Sequence, residues 1–296
     1  MNKKGKSIII GSDSLNFLPD VDNVYSCYRS YGFFARVGRK IIKTLKLFRF
    51  ISYFYGGWKK RLNNCDMVIL FDGGVDNVDL ISSHIKRINP SLRLVFWFWN
   101  PVKPKDIALN SKYIDEVWTY SRFDAEKYHL KYNPQFYSKM VNINKSGENL
   151  DLVFMGADKG RRKTLDYLRK NANSQGLKCG FRIVESKKDR VDYQEYLSVV
   201  MDSKCVVDVV PDRICGLTLR PLEALFYEKK LITNYEDIVN YDFYRKENIF
   251  VIGKDNMDKM AEFVNGPYKK IDEKIINYYC YEKWLKRIED NKDVKV

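Results

Sequence analysis

The sequence is poor in the residues that build metal centres. It contains two histidines, and none of its six cysteines forms a CxxC pair. Structural zinc sites and disulfide frameworks both depend on closely spaced or regularly paired cysteines. The spacing therefore argues against a zinc site and against a disulfide framework, and histidine-rich metal centres are also excluded.

Long apolar runs are absent as well. A membrane-spanning helix needs about 20 apolar residues, and lysine, arginine or glycine interrupts the longer runs of this chain. The amino-terminal residues carry lysines, but the apolar run Ile8–Ile10 is far too short for the core of a signal peptide. We therefore expect a cytoplasmic protein without a transmembrane segment.

Positive charge is what the chain has in excess. Its 296 residues include 52 Lys and Arg against 38 Asp and Glu, a formal net charge of +14. A field of this size attracts polyanions, and the candidates are nucleic acid, an anionic membrane face and a phosphorylated substrate. The sequence has no zinc finger, no RNP-type aromatic motif and no lysine-rich tail, which disfavours nucleic acid.

The length and the hydrophobic fraction of 45% indicate a folded chain of two domains.

One segment, residues 36–61, concentrates the basic residues. Apolar residues recur in it near helical spacing, which predicts a basic amphipathic helix followed by Tyr53, Phe54, Tyr55 and Trp58. Such a helix is typical of a membrane-surface element. The same pattern fits a core-facing helix with a solvated lysine face, and the sequence leaves both interpretations open.

Strand, polar turn and helix alternate along the whole chain. This alternation predicts an α/β fold of two Rossmann-like, doubly wound domains that face a cleft. The polar stretch 142–149 predicts a linker, which gives domains over 1–145 and 146–296 with a last helix that can cross back. The predicted strands are Ser7–Ile10, Met67–Phe71, Leu92–Trp99 and Glu116–Thr119 in the first domain, and Leu152–Met155, Phe181–Glu185, Cys205–Val210, Leu231–Thr233 and Ile249–Ile252 in the second.

The densest group of chemistry-bearing residues follows the apolar run Val206–Val210. Gly216 precedes a predicted helix, and a glycine there lets a phosphate approach the free backbone N–H groups at the positive end of the helix dipole. Thr218 can cap the helix or donate to an anion, and Arg220 suits a diphosphate. Glu223, three residues after Arg220, can accept from a ribose diol. The plainer alternative is a turn glycine, a cap and an i,i+3 surface pair, and the residues alone do not separate the two.

The run GLTLRPLEALFYEKKLITN, with the segments Tyr241–Tyr244 and Asn248-Ile249, resembles bacterial GT-B glycosyltransferases of cell-surface polysaccharide synthesis. It is particularly similar to lipopolysaccharide core rhamnosyltransferases. The resemblance covers residues 65–265 and includes segments at 123–137 and 154–165. It implies an acceptor-binding domain over 1–145 and a nucleotide-sugar-binding domain over 146–296.

The resemblance also implies donor-binding roles in the second domain. Glu223 would bind the ribose hydroxyls, and Gly216, Leu217 and Thr218 would offer hydrogen-bond donors to the diphosphate. One departure concerns the family's common pair of glutamates seven residues apart, because Gly216 stands where the first of them would fall. That departure puts a retaining mechanism of this subtype in doubt.

Glycosyl transfer needs a stabilised leaving diphosphate and a base for the acceptor hydroxyl. Arg161 resembles the family's residue that neutralises the diphosphate, and Arg220 would share that task. Asp13, after the first strand, is the first candidate for the base and Asp72 the second, although aspartates at strand ends also form turns and caps. Asp20-Val21-Asp22 has the letters of a metal-binding motif but sits in a proline-containing loop, so we expect no metal.

The resemblance favours transfer of rhamnose from a dTDP- or UDP-linked donor, with no other cofactor. The expected acceptor is the lipopolysaccharide core or a related lipid-linked glycan, at the inner face of the bacterial inner membrane. Trp97 and Trp99 could stack on sugar faces or belong to the core. The alternative function is a non-enzymatic scaffold that binds polyanions or membranes through residues 36–61.

Overall fold

The computed structural model of the protein divides into two compact units, residues 1–133 with 286–296, and residues 134–285. The division falls before the polar stretch 142–149 because the residues ahead of that stretch pack in the second unit. There the Phe136 ring lies 4.3 Å from that of Trp284, and the Tyr137 amide donates to the Tyr279 carbonyl at 2.8 Å. The residues that the structure describes are 7–11, 22–29, 32–75, 77–147, 149–186, 189, 191–211 and 216–294.

The first unit is built on a parallel sheet of strands with buried apolar runs. Runs of this kind are typical of strands that are covered on both faces. Ile69 lies opposite Ile9 on one side and Val95 on the other. The strands are β1 (Ser7–Gly11), β2 (Val24–Ser26), β3 (Met67–Phe71), β4 (Arg93–Phe98), β5 (Glu116–Thr119) and β6 (Lys131–Tyr132), in the spatial order β2-β1-β3-β4-β5-β6.

Three helices of this unit are α1 (Phe33–Thr44), α2 (Val78–Ile88) and α3 (Arg122–Tyr128). The predicted amphipathic helix therefore ends at Thr44, and 3-10 turns follow it. The membrane-surface interpretation is wrong for Tyr55 and Trp58, since both are fully buried and Trp58 Nε1 donates to the Cys27 carbonyl at 2.9 Å.

The second unit is built on a second parallel sheet with helices between its strands. The expected class, α/β with two Rossmann-like parallel-sheet domains, is confirmed. The strands are β7 (Leu150–Ala157), β8 (Cys179–Val184), β9 (Ser203–Asp208), β10 (Lys230–Thr233) and β11 (Ile249–Val251), in the order β11-β10-β9-β7-β8. The helices are α4 (Arg162–Ser174), α5 (Tyr193–Met201), α6 (Leu219–Phe226), α7 (Met260–Asn265), α8 (Glu273–Tyr278) and α9 (Tyr281–Glu289), of which the last ends among the first unit's residues.

Within the described ranges, no helix combines the length and the apolar character needed to cross a bilayer.

Candidate functional site

The carboxyl edge of the second sheet gathers most of the predicted site residues. Open parallel sheets bind ligands beyond the carboxyl ends of their strands. At this edge β7 ends at Ala157, β9 ends at Asp208 and β10 ends at Thr233. The helix α6 then begins at Leu219, after Thr218.

Asp208 holds the start of α6 against the end of β9. Its side chain is 1% exposed, its Oδ2 accepts from Thr218 Oγ1 at 2.8 Å, and its Oδ1 accepts from Arg220 Nη1 at 3.3 Å. Thr218 occupies the N-cap position of α6, but its side chain makes no capping hydrogen bond because the hydroxyl is turned to Asp208. Of the two roles that the sequence left open for Thr218, capping is therefore wrong, and donation to a bound phosphate stays a prediction.

Two guanidinium groups converge over Gly156 in β7. A Cβ atom at this glycine would lie 2.8 Å from Arg220 Nη2 and 3.2 Å from Arg161 Nη2. Both guanidinium groups also lie over the Phe154 ring, at 4.9 Å for Arg161 and 5.0 Å for Arg220. Arg220 Nη2 donates to the Met155 carbonyl at 2.6 Å. A side chain at 156 would therefore have to displace the ends of both arginine side chains.

A tight turn before α4 places Arg161 at this edge. Lys159 and Gly160 both have positive φ, 47° and 82°, a region that glycine adopts without strain. The turn brings the chain back so that Arg161 Nε donates to the Asp158 carbonyl at 3.1 Å. The Asp158 side chain accepts from the Arg162 amide at 3.0 Å, which completes the turn.

Arg161 ties the ends of two strands together. Its Nη1 donates to the Val209 carbonyl at 3.0 Å and its Nη2 donates to the Ala157 carbonyl. An arginine has five N–H donors, so donors remain after these bonds and the one to Asp158. Burial and the neighbouring Arg220 lower the pKa of Arg161 to about 10. A cation that is destabilised in this way gains from a nearby anion.

Glu223 lies in the interior of the second unit. It is 2% exposed, and its two carboxylate oxygens accept from Tyr193 Oη at 2.8 Å and from Tyr196 Oη at 2.6 Å. Burial raises the pKa of Glu223. Its binding to a ribose stays a prediction, and a diol that reached this carboxylate would have to share it with the two tyrosines or displace them.

A chain of hydroxyls extends from Glu223 towards residue 140. Tyr193 Oη and Tyr137 Oη are 2.9 Å apart, and Tyr137 Oη donates to Tyr227 Oη at 3.4 Å. Tyr227 Oη in turn accepts from the Met140 amide at 3.0 Å and donates to its carbonyl at 3.2 Å. This polar network holds α6 through Glu223 and Tyr227, in addition to the apolar packing of the helix.

Gly216 and Leu217 precede α6 and are both buried. The Leu217 side chain belongs to the core, so only its backbone is left for a ligand. The residues that lead from β9 to Gly216, 212–215, lie outside the described ranges. The predicted diphosphate contacts of Gly216 and Leu217 stay predictions.

Asp72 follows β3 at the carboxyl edge of the first sheet. Its Oδ2 accepts from the Asn100 amide at 3.1 Å and from Asn100 Nδ2 at 2.8 Å. Burial raises the pKa of Asp72, and the bonds from Asn100 oppose that effect. Asp13, the first candidate for the base, lies outside the described residues.

The two tryptophans near this edge have different environments. Trp97 in β4 is fully buried in the first unit and is a core residue. Trp99 is half-buried and stacks on the Phe71 ring with centroids 6.1 Å apart. Only Trp99 retains exposed surface for contact with a sugar.

Several residues of the second sheet's edge escaped the sequence analysis. Asp208 was detectable as a single carboxylate inside an apolar run, because a buried charge requires a partner. Asn234 carries no such signal, yet its Oδ1 accepts from the Val210 amide at 2.7 Å and its Nδ2 donates to the Val210 carbonyl at 3.0 Å. Tyr193 and Tyr196 are also invisible as partners of Glu223, since the pairing joins different helices.

No group of three or more His, Cys, Asp or Glu side chains suited to a metal ion is found among the described residues.

No protein-family model matches the chain, and no curated protein matches it in sequence. Solved structures are similar to it at low identity. An α1,3-fucosyltransferase with GDP is 11% identical, with 99% of this chain and 93% of that chain covered and a TM-score of 0.42. A sucrose-phosphate synthase from Thermosynechococcus elongatus is 10% identical, with 96% and 87% covered and a TM-score of 0.48. An α1,3-fucosyltransferase with GDP-fucose is 11% identical, with 78% and 79% covered and a TM-score of 0.38. These similarities are distant.

Proposed function

We propose that the protein is a metal-independent glycosyltransferase of GT-B type that takes a sugar from a nucleoside diphosphate. The observation that carries the proposal is the pair of guanidinium groups, Arg161 and Arg220, at the carboxyl edge of the second sheet. Arg220 is paired with the buried Asp208. The bonds described for Arg161 go to backbone carbonyls instead, so its positive charge can serve a bound anion. A diphosphate is an anion of the size and charge that such a group binds.

The donor's diphosphate would lie beside the arginines, near the start of α6. Free N–H groups at a helix start favour anions, although Pro221 contributes none. As the bond from the anomeric carbon to the diphosphate oxygen breaks, its electron pair stays on the diphosphate. The arginines stabilise that charge, which is the electrostatic part of catalysis.

On the acceptor side, the oxygen of the attacking hydroxyl forms the new bond to the anomeric carbon. A carboxylate of the protein takes the proton that this hydroxyl loses. We propose Asp72 for this task among the described residues, and Asp13 remains the other candidate. A carboxylate whose pKa is raised is a better proton acceptor near neutral pH than an ordinary one. Asn100 donates twice to one oxygen of Asp72, which fixes the carboxylate at the edge of the sheet.

The finer assignment depends on the family resemblance and on charge. We propose rhamnose, from a dTDP- or UDP-linked donor, as the transferred sugar, and the lipopolysaccharide core or a related lipid-linked glycan as the acceptor. Such acceptors carry phosphate and carboxylate, which suits a chain of net charge +14. The protein would then work as a peripheral protein at the inner face of the inner membrane.

The decisive experiment measures donor binding and transfer together. Calorimetric titration with dTDP, UDP and GDP should show binding of at least one of them to the wild-type protein. Arg161→Gln should weaken it about tenfold to a hundredfold, as expected for a lost charge-assisted bond. Arg162→Gln is the matched control, because Arg162 is the next residue but pairs with Asp158 and Glu185 on the surface.

Transfer is then assayed with labelled nucleotide sugars and deep-rough lipopolysaccharide. Absence of nucleoside diphosphate binding together with absence of transfer would overturn the proposal. Membrane binding without either activity would favour the non-enzymatic scaffold instead.

A further inference from the structure

One stretch of the first unit carries charge of a single sign. Between Asp22 and Asp66 the sequence has ten basic residues and no acidic one. The positive charges of this stretch therefore have no carboxylate neighbour along the chain. A region of this kind favours an anionic partner.

The same stretch exposes apolar side chains in a regular row. Along α1 and just beyond it, four apolar residues recur every four positions and so share one side of the helix. A surface helix of a soluble protein usually turns its apolar side to the core. The residues of this row, with their exposed fractions, are Phe33 (67%), Val37 (37%), Ile41 (51%) and Leu45 (60%).

Two exposed aromatic side chains follow α1 along the chain. Tyr53 is 72% exposed and Phe50 is 37% exposed. Their rings stack with centroids 6.5 Å apart. Aromatic residues of this kind favour the boundary between lipid and water. We refer to residues 33–53 as the basic apolar segment.

Another side of α1 holds the helix to the first unit. Ile42 packs against the core, and a Cβ atom at Gly38 would lie 3.2 Å from the Phe54 ring. Arg39 Nη1 donates to the Arg29 carbonyl at 3.3 Å. The apolar row is thus exposed on a helix that is already anchored.

We propose that the basic apolar segment docks the protein on a bilayer that contains anionic lipid. The apolar row would enter the interface, and Lys40 and Lys46, which are exposed, would reach the lipid phosphates. A helix with an apolar side and flanking lysines binds in this manner. Each lysine near an anionic surface adds to the attraction.

A lipid bilayer fits the basic apolar segment better than nucleic acid or a second copy of the chain does. Nucleic acid offers phosphates but gives no burial for a row of aliphatic side chains such as Ile41 and Leu45. A second copy of the chain would cover the row, but a two-fold interface would bring like charges together. Only an anionic bilayer meets the lysines and the apolar row at once.

This inference deepens the proposed function, because it gives the enzyme a place from which to reach a lipid-linked acceptor. Only this link to the acceptor depends on the proposed function. Vesicle binding is measured without donor or acceptor, so either vesicle binding or nucleoside diphosphate binding can fail while the other persists.

The test is co-sedimentation of the purified chain with vesicles of phosphatidylcholine alone or with phosphatidylglycerol added. We expect binding only to the anionic vesicles, weakened by salt. Lys40→Glu/Lys46→Glu should lose about tenfold or more in partition, and Ile41→Ser/Leu45→Ser should lose a similar amount. Thermal melts of all variants show whether the fold is retained.

Matched controls come from the same unit. Lys103→Glu/Lys105→Glu makes the same change of net charge at exposed lysines elsewhere, and Ile107→Ser removes an exposed isoleucine elsewhere. Both should bind vesicles as the wild type does.

Three results would overturn the proposal. The first is failure of the folded wild type to bind anionic vesicles, and the second is an equal loss in the controls. The third is a wild-type dimer, seen by light scattering without lipid, that Ile41→Ser/Leu45→Ser converts to a monomer, since the row would then cover a second copy.

Discussion

The carboxyl edges of the two sheets present different candidate groups. In the second unit the edge holds Arg161 and Arg220, with Asp208 buried between strand and helix. In the first unit the described part of the edge holds a carboxylate, Asp72, bonded to Asn100. The same kind of sheet therefore presents a pair of guanidinium groups in one unit and a carboxylate in the other.

The two edges also differ in the partners that hold their groups. Arg161 donates to three backbone carbonyls, so its position is set by the ends of the strands themselves. Asp72 is held by Asn100 and by the backbone of Gly73, both in loops that follow strands. This difference would suit the two proposed tasks, since a diphosphate needs fixed charges while a base must exchange a proton with its substrate.

The largest effect should come from removing Asp72, the proposed base of the first edge. Asp72→Asn keeps the size of the side chain but cannot take up a proton. We expect transfer to fall by about 10²–10⁴-fold, with nucleoside diphosphate binding unchanged. Steady-state transfer rates and calorimetry on the same variant separate the two effects. An unchanged rate would exclude Asp72 as the base and leave Asp13 as the candidate.

The next largest effect should come from changing the shape of the Arg220 side chain at the second edge. Arg220→Lys keeps the charge, but one ammonium group cannot reproduce the planar bonds to both the Met155 carbonyl and Asp208. We expect about a tenfold loss in nucleoside diphosphate affinity, measured by calorimetry.

The matched control for this change is Arg169→Lys. Arg169 also lies over a phenylalanine ring, Phe181, at 5.3 Å and donates to that residue's carbonyl at 3.2 Å. Equal losses of affinity in the two variants would mean that Arg220 has only a structural role.

The sheets were largely predictable from the sequence, because buried parallel strands are continuous apolar runs. Met67–Phe71 and Glu116–Thr119 are strands with the predicted bounds. The strands β2 and β6 were missed, since each has at most three residues and lacks an apolar run.

The partners within the site were not predictable in the same way. Arg220 was identified from the sequence, but its bond to the Met155 carbonyl joins residues 65 positions apart. Glu223 was predicted to be available to a ribose, whereas the fold gives both of its oxygens to tyrosines. Local patterns show which residues can do chemistry, but the tertiary fold decides which of them are already occupied.

Glu223 provides a test of stability at the second edge. Glu223→Ala leaves the hydroxyls of Tyr193 and Tyr196 without their acceptor in the interior. We expect the free energy of unfolding to fall by about 2–3 kcal/mol, the cost of buried groups left without partners. Glu223→Gln should lose less, because an amide can still bond to hydroxyls.

Urea unfolding measures this loss, and Glu195→Ala is the control because Glu195 lies exposed on α5. Unchanged stability of Glu223→Ala combined with weaker nucleoside diphosphate binding would contradict the structural role and favour contact with the ribose.

The smallest effect concerns the response of the first unit to acid. His84 packs edge-on against the Tyr55 ring at 4.9 Å, and its Nδ1 accepts from Arg87 Nη2 at 3.1 Å. Burial, with Arg87 and Lys59, lowers the pKa of His84 from 6.5 to about 4. As the pH falls below 6.5, the unfolded chain takes up a proton that the folded chain refuses until about pH 4, so stability decreases over that range.

Between pH 7 and pH 5, we expect the wild type to lose about 1 kcal/mol more of its free energy of unfolding than His84→Gln loses. Urea unfolding at the two pH values measures the difference, and His129→Gln is the control because His129 is exposed. The readout is the change with pH, so a general loss of stability in His84→Gln does not affect it. An equal pH response in the wild type and His84→Gln would mean that His84 is protonated in the folded protein despite its burial, and that Arg87 does not donate to it.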